Sequence, residues 1–358
     1  MASRRHSVSR VGGLLLAAAT LVLAAACSST ASTAPSQSLL VGVPVTPTPG
    51  ESVQASCACS AAPAGTVGAA IPTIKAGQSG TVKAWGDDGA GQTDVPAGLT
   101  GVVAIAAGDA FSLALKSDGT VVGWGSDSTG ETDIPANLKN VTAVSAGSYF
   151  GLALLSNGTV TAWGDGSSGQ TTAPAGLGNV IEISAAGSHA LALKSDGTVV
   201  AWGSDDNGES DIPAGLANVV HVSAGQDFSL ALLKNGTVVA WGDKFPTDGA
   251  ASTVALPAGL RDVRGISAGY GHSLAVRADG AVLSWGANDV GQGTTPAGLK
   301  AVEVAAGGNF SVAIKPDGSV AVWGANDSGQ QTLPAGLSHV IAIDAGGSFI
   351  LAIVSSGS

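Results

Sequence analysis

A thirteen-residue stretch, Leu191 to Gly203 with the sequence LALKSDGTVVAWG, returns with small changes as far as the C-terminus and limits what the chain can fold into. Two apolar runs flank an Asp-Gly or Asn-Gly pair. This is the strongest short-range signal for a β-hairpin, because both central residues of a type I′ turn need positive φ. Each copy ends in a tryptophan: Trp85, Trp124, Trp163, Trp202, Trp241, Trp285 and Trp323. The intervals are 39, 39, 39, 39, 44 and 38 residues, and fixed periods near 40 belong to repeat architectures such as solenoids and propellers. The 53 glycines and the low share of charged residues, 11%, suit many short strands joined by tight turns.

One unit reads from Val102 to Pro135 and predicts four strands: Val102–Ala106, Phe111–Lys116, Thr120–Trp124 and a short edge strand Glu131–Ile134. Pro135 ends the fourth, as proline is confined to the edges and ends of sheets. The two chain ends are complementary. After Phe349–Val354 the third strand is missing, whereas Ser79-Gly80-Thr81 opens on a hairpin turn with no first or second strand before it. The expected fold class is all-β: a seven-bladed β-propeller of four-stranded blades over residues 71–358, its ring closed by N- and C-terminal strands sharing one blade.

Residues 1–26 read as a signal peptide, since Arg4 and Arg5 precede a short apolar run that ends in Ala24-Ala25-Ala26. Cys27 follows that run as the residue for lipid attachment, which would place the mature protein on the extracellular face of a bacterial membrane or leave it secreted. Residues 27–70 are rich in Ser, Thr, Ala and Pro and read as a flexible tether. Cys57 and Cys59 lie inside it without further metal ligands nearby. The formal charge is −11; without Arg4, Arg5 and Arg10 the balance is 12 basic against 26 acidic residues. A nucleic-acid partner is not expected, because such binding draws on clustered Lys and Arg.

The Trp-Gly, Gly-Gln and Ser-Leu-Ala-Leu elements recur in nearly every unit, and the repeat resembles the regulator-of-chromosome-condensation family of seven-bladed propellers over about Gly77 to Ser358. In its Gly-Gln-Thr and Pro-Ala elements it is also similar to the exported propeller-type inhibitors of class A β-lactamases. That resemblance implies inhibition through protein contact. It carries aromatic loop positions onto Tyr149 and Tyr270, and it does not match the Asp, Gly, Ser and Asn loops.

Alternating strand direction places the loops after strands one and three on one face and the hairpin turns on the other. The turns hardly vary: Ser117-Asp118-Gly119, Ser156-Asn157-Gly158, Ser195-Asp196-Gly197. The first-strand loops change from unit to unit, and variation on a rigid scaffold is where binding lives. The candidate partner-binding residues are Asp109, Tyr149, Asp227, Tyr270 and Asn309, with Lys244 and Phe245 from the loop that accounts for the 44-residue interval. Phe111, Phe150, His189, Phe228, His272, Phe310 and Phe349 share one place in the repeat, so the two histidines read as packing. The seven tryptophans read as structural wedges. The acidic pairs Asp87-Asp88 and Asp205-Asp206 lack the alternating ligand pattern of a calcium loop. The sequence therefore predicts an exported, lipid-anchored, non-catalytic and monomeric module without cofactor or metal, which touches the membrane only through its anchor. Its partner is a protein or envelope ligand. The alternatives are a β-lactamase inhibitor and a polysaccharide-active hydrolase or lyase, the latter resting on paired loop carboxylates.

Overall fold

The computed structural model describes residues 78–243 and 254–355. The signal peptide, Cys27, the tether, Lys244 and Phe245 lie outside the described residues. Within them the chain is all β, with 21 strands and no helix. The first strand, β1 (Gly80–Gly86), is followed by triplets, each two consecutive antiparallel pairings. They are β2 (Val102–Ala107), β3 (Phe111–Lys116) and β4 (Val121–Gly125), then β5 (Val141–Ala146), β6 (Phe150–Leu155) and β7 (Val160–Gly164). Next come β8 (Val180–Ala186), β9 (His189–Lys194) and β10 (Val199–Gly203), and β11 (Val219–Ala224), β12 (Phe228–Leu233) and β13 (Val238–Gly242). The last are β14 (Val263–Ala268), β15 (His272–Arg277) and β16 (Val282–Gly286), β17 (Glu303–Ala306), β18 (Phe310–Ile314) and β19 (Val320–Gly324), and finally β20 (Val340–Ala345) with β21 (Phe349–Ser355).

β20 and β21 have no later strand beside them, and β1 takes that place. It pairs with β21 from Gly80↔Ser355 to Gly86↔Phe349, whereas it meets β2 only at Gly80↔Val102.

Two details differ from the sequence reading. The fourth strand expected over Glu131–Ile134 does not form, because its backbone donors are consumed locally. Thr132 N donates to Asp127 Oδ1 at 2.9 Å, Asp133 N to Gly130 O at 3.2 Å and Ile134 N to Thr132 O at 2.9 Å. Nor are the hairpins type I′. Only the glycine of each turn has positive φ, 80° at Gly119, and Gly119 N donates to Lys116 O at 2.9 Å. This is a type I turn followed by a glycine bulge. Asp118 Oδ1 accepts Thr120 N at 3.0 Å, and Asn157 and Asn235 do the same for Thr159 and Thr237. The Asp and Asn therefore serve as side-chain caps and need no left-handed backbone.

The tryptophans wedge neighbouring sheets as expected. Trp163, on β7, is 6% exposed and packs in one cluster with Phe111, Leu113 and Leu115 of β3. Its Nε1 donates to Glu131 O at 2.8 Å, and Trp85, Trp124, Trp202, Trp241 and Trp323 repeat the bond with the Gln or Glu carbonyl of the preceding unit. That acceptor is itself anchored. Gln92 Oε1 accepts Ala90 N and its Nε2 donates to Asp87 Oδ2, so the recurrent Gly-Gln element shapes the third-strand loop. Trp285, on β16, keeps the wedge in a different setting. It is buried with Phe228, Leu230 and Leu232 of β12, but the unit before it is the one whose Gly-Gln element the 44-residue interval replaces. Packing of the ring is therefore common to all seven positions, whereas the Gln or Glu carbonyl belongs to the other six.

The innermost, first strands are joined by side chains rather than by a ladder. Ser145 Oγ accepts Ala185 N, Ser184 Oγ accepts Ala224 N, Ser223 Oγ accepts Ala268 N and Ser267 Oγ accepts Ala306 N, all at 2.9–3.0 Å. Asp344 replaces serine in β20 and its Oδ2 accepts Ala107 N at 2.8 Å, tying the last first-strand to β2. Gly347 N donates to Gly108 O at 3.3 Å across the same junction.

Candidate binding face

The loops after the first and third strands share one face, and the structure brings Asp109, Tyr149, Asp227, Tyr270 and Asn309 to it. Their surroundings differ. Tyr149 is 46% exposed. Asp227 and Asn309 are exposed as well. Tyr270 is only partly exposed, and its hydroxyl donates to Asp109 Oδ1 in the loop between β2 and β3. Its ring lies over Gly308 and Gly347: a methyl group added at Gly347 would stand 2.9 Å from the Tyr270 hydroxyl, and one at Gly308 would stand 3.4 Å from the ring. At Gly347 the tyrosine hydroxyl and the Asp109 carbonyl leave no room for a side chain, whereas at Gly308 the bar is the Gly347 carbonyl oxygen, 2.4 Å from the added methyl. Burial, then the Asp109 charge, pushes the Tyr270 pKa well above the usual phenol range. Tyr270 and Asp109 thus form an internal strap across the face, and Tyr149 remains the exposed aromatic of the pair.

Beneath the strap, the ends of the first strands enclose a cavity of about 80 Å³ lined by Ser145, Ser184, Ser223, Ser267, Asp344 and Tyr270. Burial raises the Asp344 pKa to about 7, against a lowering by its bonds from Ala107 and Ala345. Glu303, at the start of its inner strand β17, accepts Ile343 N at 3.1 Å, and burial raises its pKa to about 8. One carboxyl thus lies on β20 and the other accepts from it, and neither stands out in a single unit of the sequence. Alignment of the inner strands carries the signal, since Asp344 stands where four other units have serine.

Carboxylates stand on both faces, with Asp118, Asp196, Asp262, Asp279 and Asp317 at the hairpin-turn end, but the basic residues are confined to one. Asp87, Asp127, Asp165, Asp205, Asp289 and Asp327 lie in third-strand loops, and Asp88, Asp109, Asp206 and Asp227 add to the same side. Among the described residues that face carries no Lys or Arg. Lys116, Lys139, Lys194, Lys234, Arg261, Arg264, Arg277, Lys300 and Lys315 all lie at the hairpin-turn end, and Lys83 is within β1. The consequence is visible at Asp227, whose pKa is raised by partial burial and then by the like charges of Glu209, Asp243 and Asp206.

His189 and His272 take the phenylalanine place, as read from sequence. Both are fully buried, and each Nε2 lies 2.9 Å from a serine hydroxyl of the next unit, Ser229 and Ser311. Burial lowers both pKa values to about 4. Among the described residues, no group of three or more His, Cys, Asp or Glu side chains has metal-binding geometry.

Repeated three-stranded antiparallel sheets, wedged by tryptophan and presenting variable loops, define a scaffold of the β-propeller class. The regulator of chromosome condensation (RCC1) repeat matches residues 102–131, 141–170, 180–209, 219–244, 263–292 and 301–330, and the chain belongs to that repeat family. Prp20p from Saccharomyces cerevisiae is similar in structure, with a TM-score of 0.67 at 19% identity over 80% of this chain and 94% of that one. Human WBSCR16 gives a TM-score of 0.63 at 17% identity over 77% of this chain and 100% of that one. The ectodomain of the Physcomitrella patens receptor kinase CR4 gives 0.58 at 23% identity, covering 69% of each chain. At these identities the likeness is one of fold. No curated protein matches the chain.

Proposed function

We propose that the three-stranded sheets close as a seven-bladed ring and that the chain is an exported, non-catalytic binding protein. It is anchored by lipid at Cys27 and engages a protein or envelope ligand through the loops after the first and third strands. Ring closure is supported by the β1–β21 ladder and by the bonds that tie β20 to β2. The observation that carries the binding reading is the contrast between faces: every described hairpin turn repeats one capping pattern, while the opposite loops expose different residues in each unit. A protein partner also accords with the fold neighbours, since Prp20p is described with binding to Gsp1p and histones.

The test is a pull-down from envelope and culture supernatant with the full chain, with Tyr149→Ala/Asn309→Ala, and with turn-face Ser117→Ala/Ser195→Ala. A partner kept by wild type and the turn-face variant, and lost by the first variant, is the expected result. Equal retention by all three would remove the variable face from the reading.

A further inference from the structure

We propose that the unit containing β14 binds a small carboxylate at its hairpin-turn end, with Arg264 as the cationic partner and the space beside Gly265 as the seat. The site is independent of the variable face and lies at the opposite end of the strands. The repeat supplies its own control. The second residue of each inner strand is Val103, Thr142, Ile181, Val220, Arg264, Val302 or Ile341, so one guanidinium replaces a side chain that is aliphatic in five units. The third is Ala104, Ala143, Glu182, His221, Gly265, Glu303 or Ala342, and the unit with the arginine is the one that brings no side chain there. Neither backbone nor packing demands that glycine. Its φ lies outside the left-handed region, and no atom stands within 4 Å of where a Cβ would be. At every other glycine inside a described strand the nearest atom is 3.3 Å away or less. A gain of charge and a loss of bulk thus coincide in adjacent residues, where β14 bulges between Val263↔Arg277 and Gly265↔Val276. Bulges re-aim side chains and are over-represented next to active sites.

The donors beside this space are incompletely used. The three arginines of the described residues, Arg261, Arg264 and Arg277, all belong to this unit. Arg264 is half-buried; its Nη2 donates to Ala301 O at 2.8 Å, and its buried Nε has no acceptor among the described residues. The buried Nε of Arg277 has none either. Asp262 stands 3.7 Å from both Arg261 Nε and Arg277 Nη2, too far for a hydrogen bond. Buried donors are ordinarily satisfied, and the guanidinium fork matches the two oxygens of a carboxylate. The repeat also shows what the neighbouring space can hold. In two other units the third residue places a carboxylate there: Glu182 Oε1 accepts Val222 N and Glu303 Oε1 accepts Ile343 N, each at 3.1 Å across to the next inner strand. Reducing a glutamate to glycine removes the equivalent of propionate. A ligand of that size and charge completes the pattern at Gly265, with Arg264 one residue away and Val304, on the next inner strand, in the matching place.

The probe is propionate, titrated into the full chain and followed by saturation-transfer difference NMR, with propionamide as its neutral isostere. Three variants are compared, each checked for folding by circular dichroism melts. Arg264→Val restores the residue found at Val103, Val220 and Val302. Gly265→Glu installs an internal carboxylate in place of the ligand, as at Glu182 and Glu303. Lys139→Gln removes one positive charge elsewhere at the same end. The expected result is saturable binding of propionate by wild type and Lys139→Gln, an affinity at least about tenfold weaker for Arg264→Val and Gly265→Glu, and no saturable binding of propionamide. If Gly265→Glu does not fold, Arg264→Val alone decides the matter. Equal binding by wild type and Arg264→Val would overturn the proposal, as would propionamide binding as well as propionate or a wild type that shows no saturable binding. Equal displacement of propionate by chloride would show a site for any anion and overturn it too. Tighter binding of trialanine than of propionate would assign the site to a peptide terminus and overturn the small acid as its ligand.

Discussion

Replacing Asp344 by Asn should change how stability depends on pH, and the size of the effect follows from where the carboxyl sits. Burial raises its pKa from 3.8 to about 7. The folded state then binds the proton more tightly than the unfolded state, so the stabilisation is complete below the unfolded value and is lost as pH rises through about 7. Integrated between about pH 5 and about pH 8, this single group removes about 2.5 kcal/mol. At ~2–4 °C per kcal/mol for a large domain, the melting temperature falls by roughly 5–10 °C on this account. Asn keeps an oxygen for Ala107 N and cannot titrate. The measured quantity is the melting temperature of wild type minus that of Asp344→Asn, by circular dichroism at each pH. Taking the difference cancels groups common to both proteins, including His189 and His272. Glu303 contributes in the same direction, because the Asp344 charge is among the causes that raise it. The difference should move by several degrees in favour of the variant from pH 5 to pH 8. A difference that stays constant would refute the assignment of a buried, proton-holding Asp344 at this junction.

The two buried histidines act with the opposite sign. Their pKa values fall from 6.5 to about 4, so stability is present above the unfolded value and is lost as pH drops through that window. His189→Phe or His272→Phe, which restore the residue of the other units, should each raise the melting temperature at about pH 5 more than at about pH 8. The chain has only two tyrosines, which makes the strap observable by tyrosinate absorbance. In Tyr149→Phe the remaining phenol should not ionise short of unfolding, whereas adding Gly347→Ala should displace Tyr270 from Asp109 and bring its ionisation down. Trp163→Ala should cost about 3–5 kcal/mol through its cavity and shift the urea midpoint accordingly; a shift equivalent to less than about 1 kcal/mol would deny the wedge its role.

Much of this fold was legible because the repeat writes the same physics many times over. The Trp period, the Asp-Gly turns and the incomplete units at each end predicted the strand triplets and the partner of β1. The period alone placed Trp285 in its wedge, although the loop before it departs from the repeat. The fourth strand was misread because Glu131–Ile134 has apolar and proline signals of an edge strand, yet Asp127 and Gly130 capture its donors within the loop. The turn type was misread because an Asp side chain can cap Thr120 N without positive φ. At the site, loop positions were legible and side-chain directions were not. Tyr149 and Tyr270 occupy adjacent places in the repeat, and the glycine at 347 leaves the space in which the Tyr270 hydroxyl lies on the face. Asp344 and Glu303 were overlooked because a lone carboxyl in an apolar strand has meaning only once the next strand's N–H is beside it.

The pairing of β1 with β21 sets an order of events. Each other hairpin closes over a few residues, but Gly80 must find Ser355. Closing a loop of that length instead of a hairpin loop costs roughly 3.5 kcal/mol more in chain entropy. Synthesis delivers β1 early and its partner last, so the strand waits unpaired until nearly the whole chain has emerged. The final ladder is then formed by a chain whose other sheets already exist. By the same reasoning the molecule should open first at this seam, which makes β1–β21 the slow gate through which the native state is entered and left.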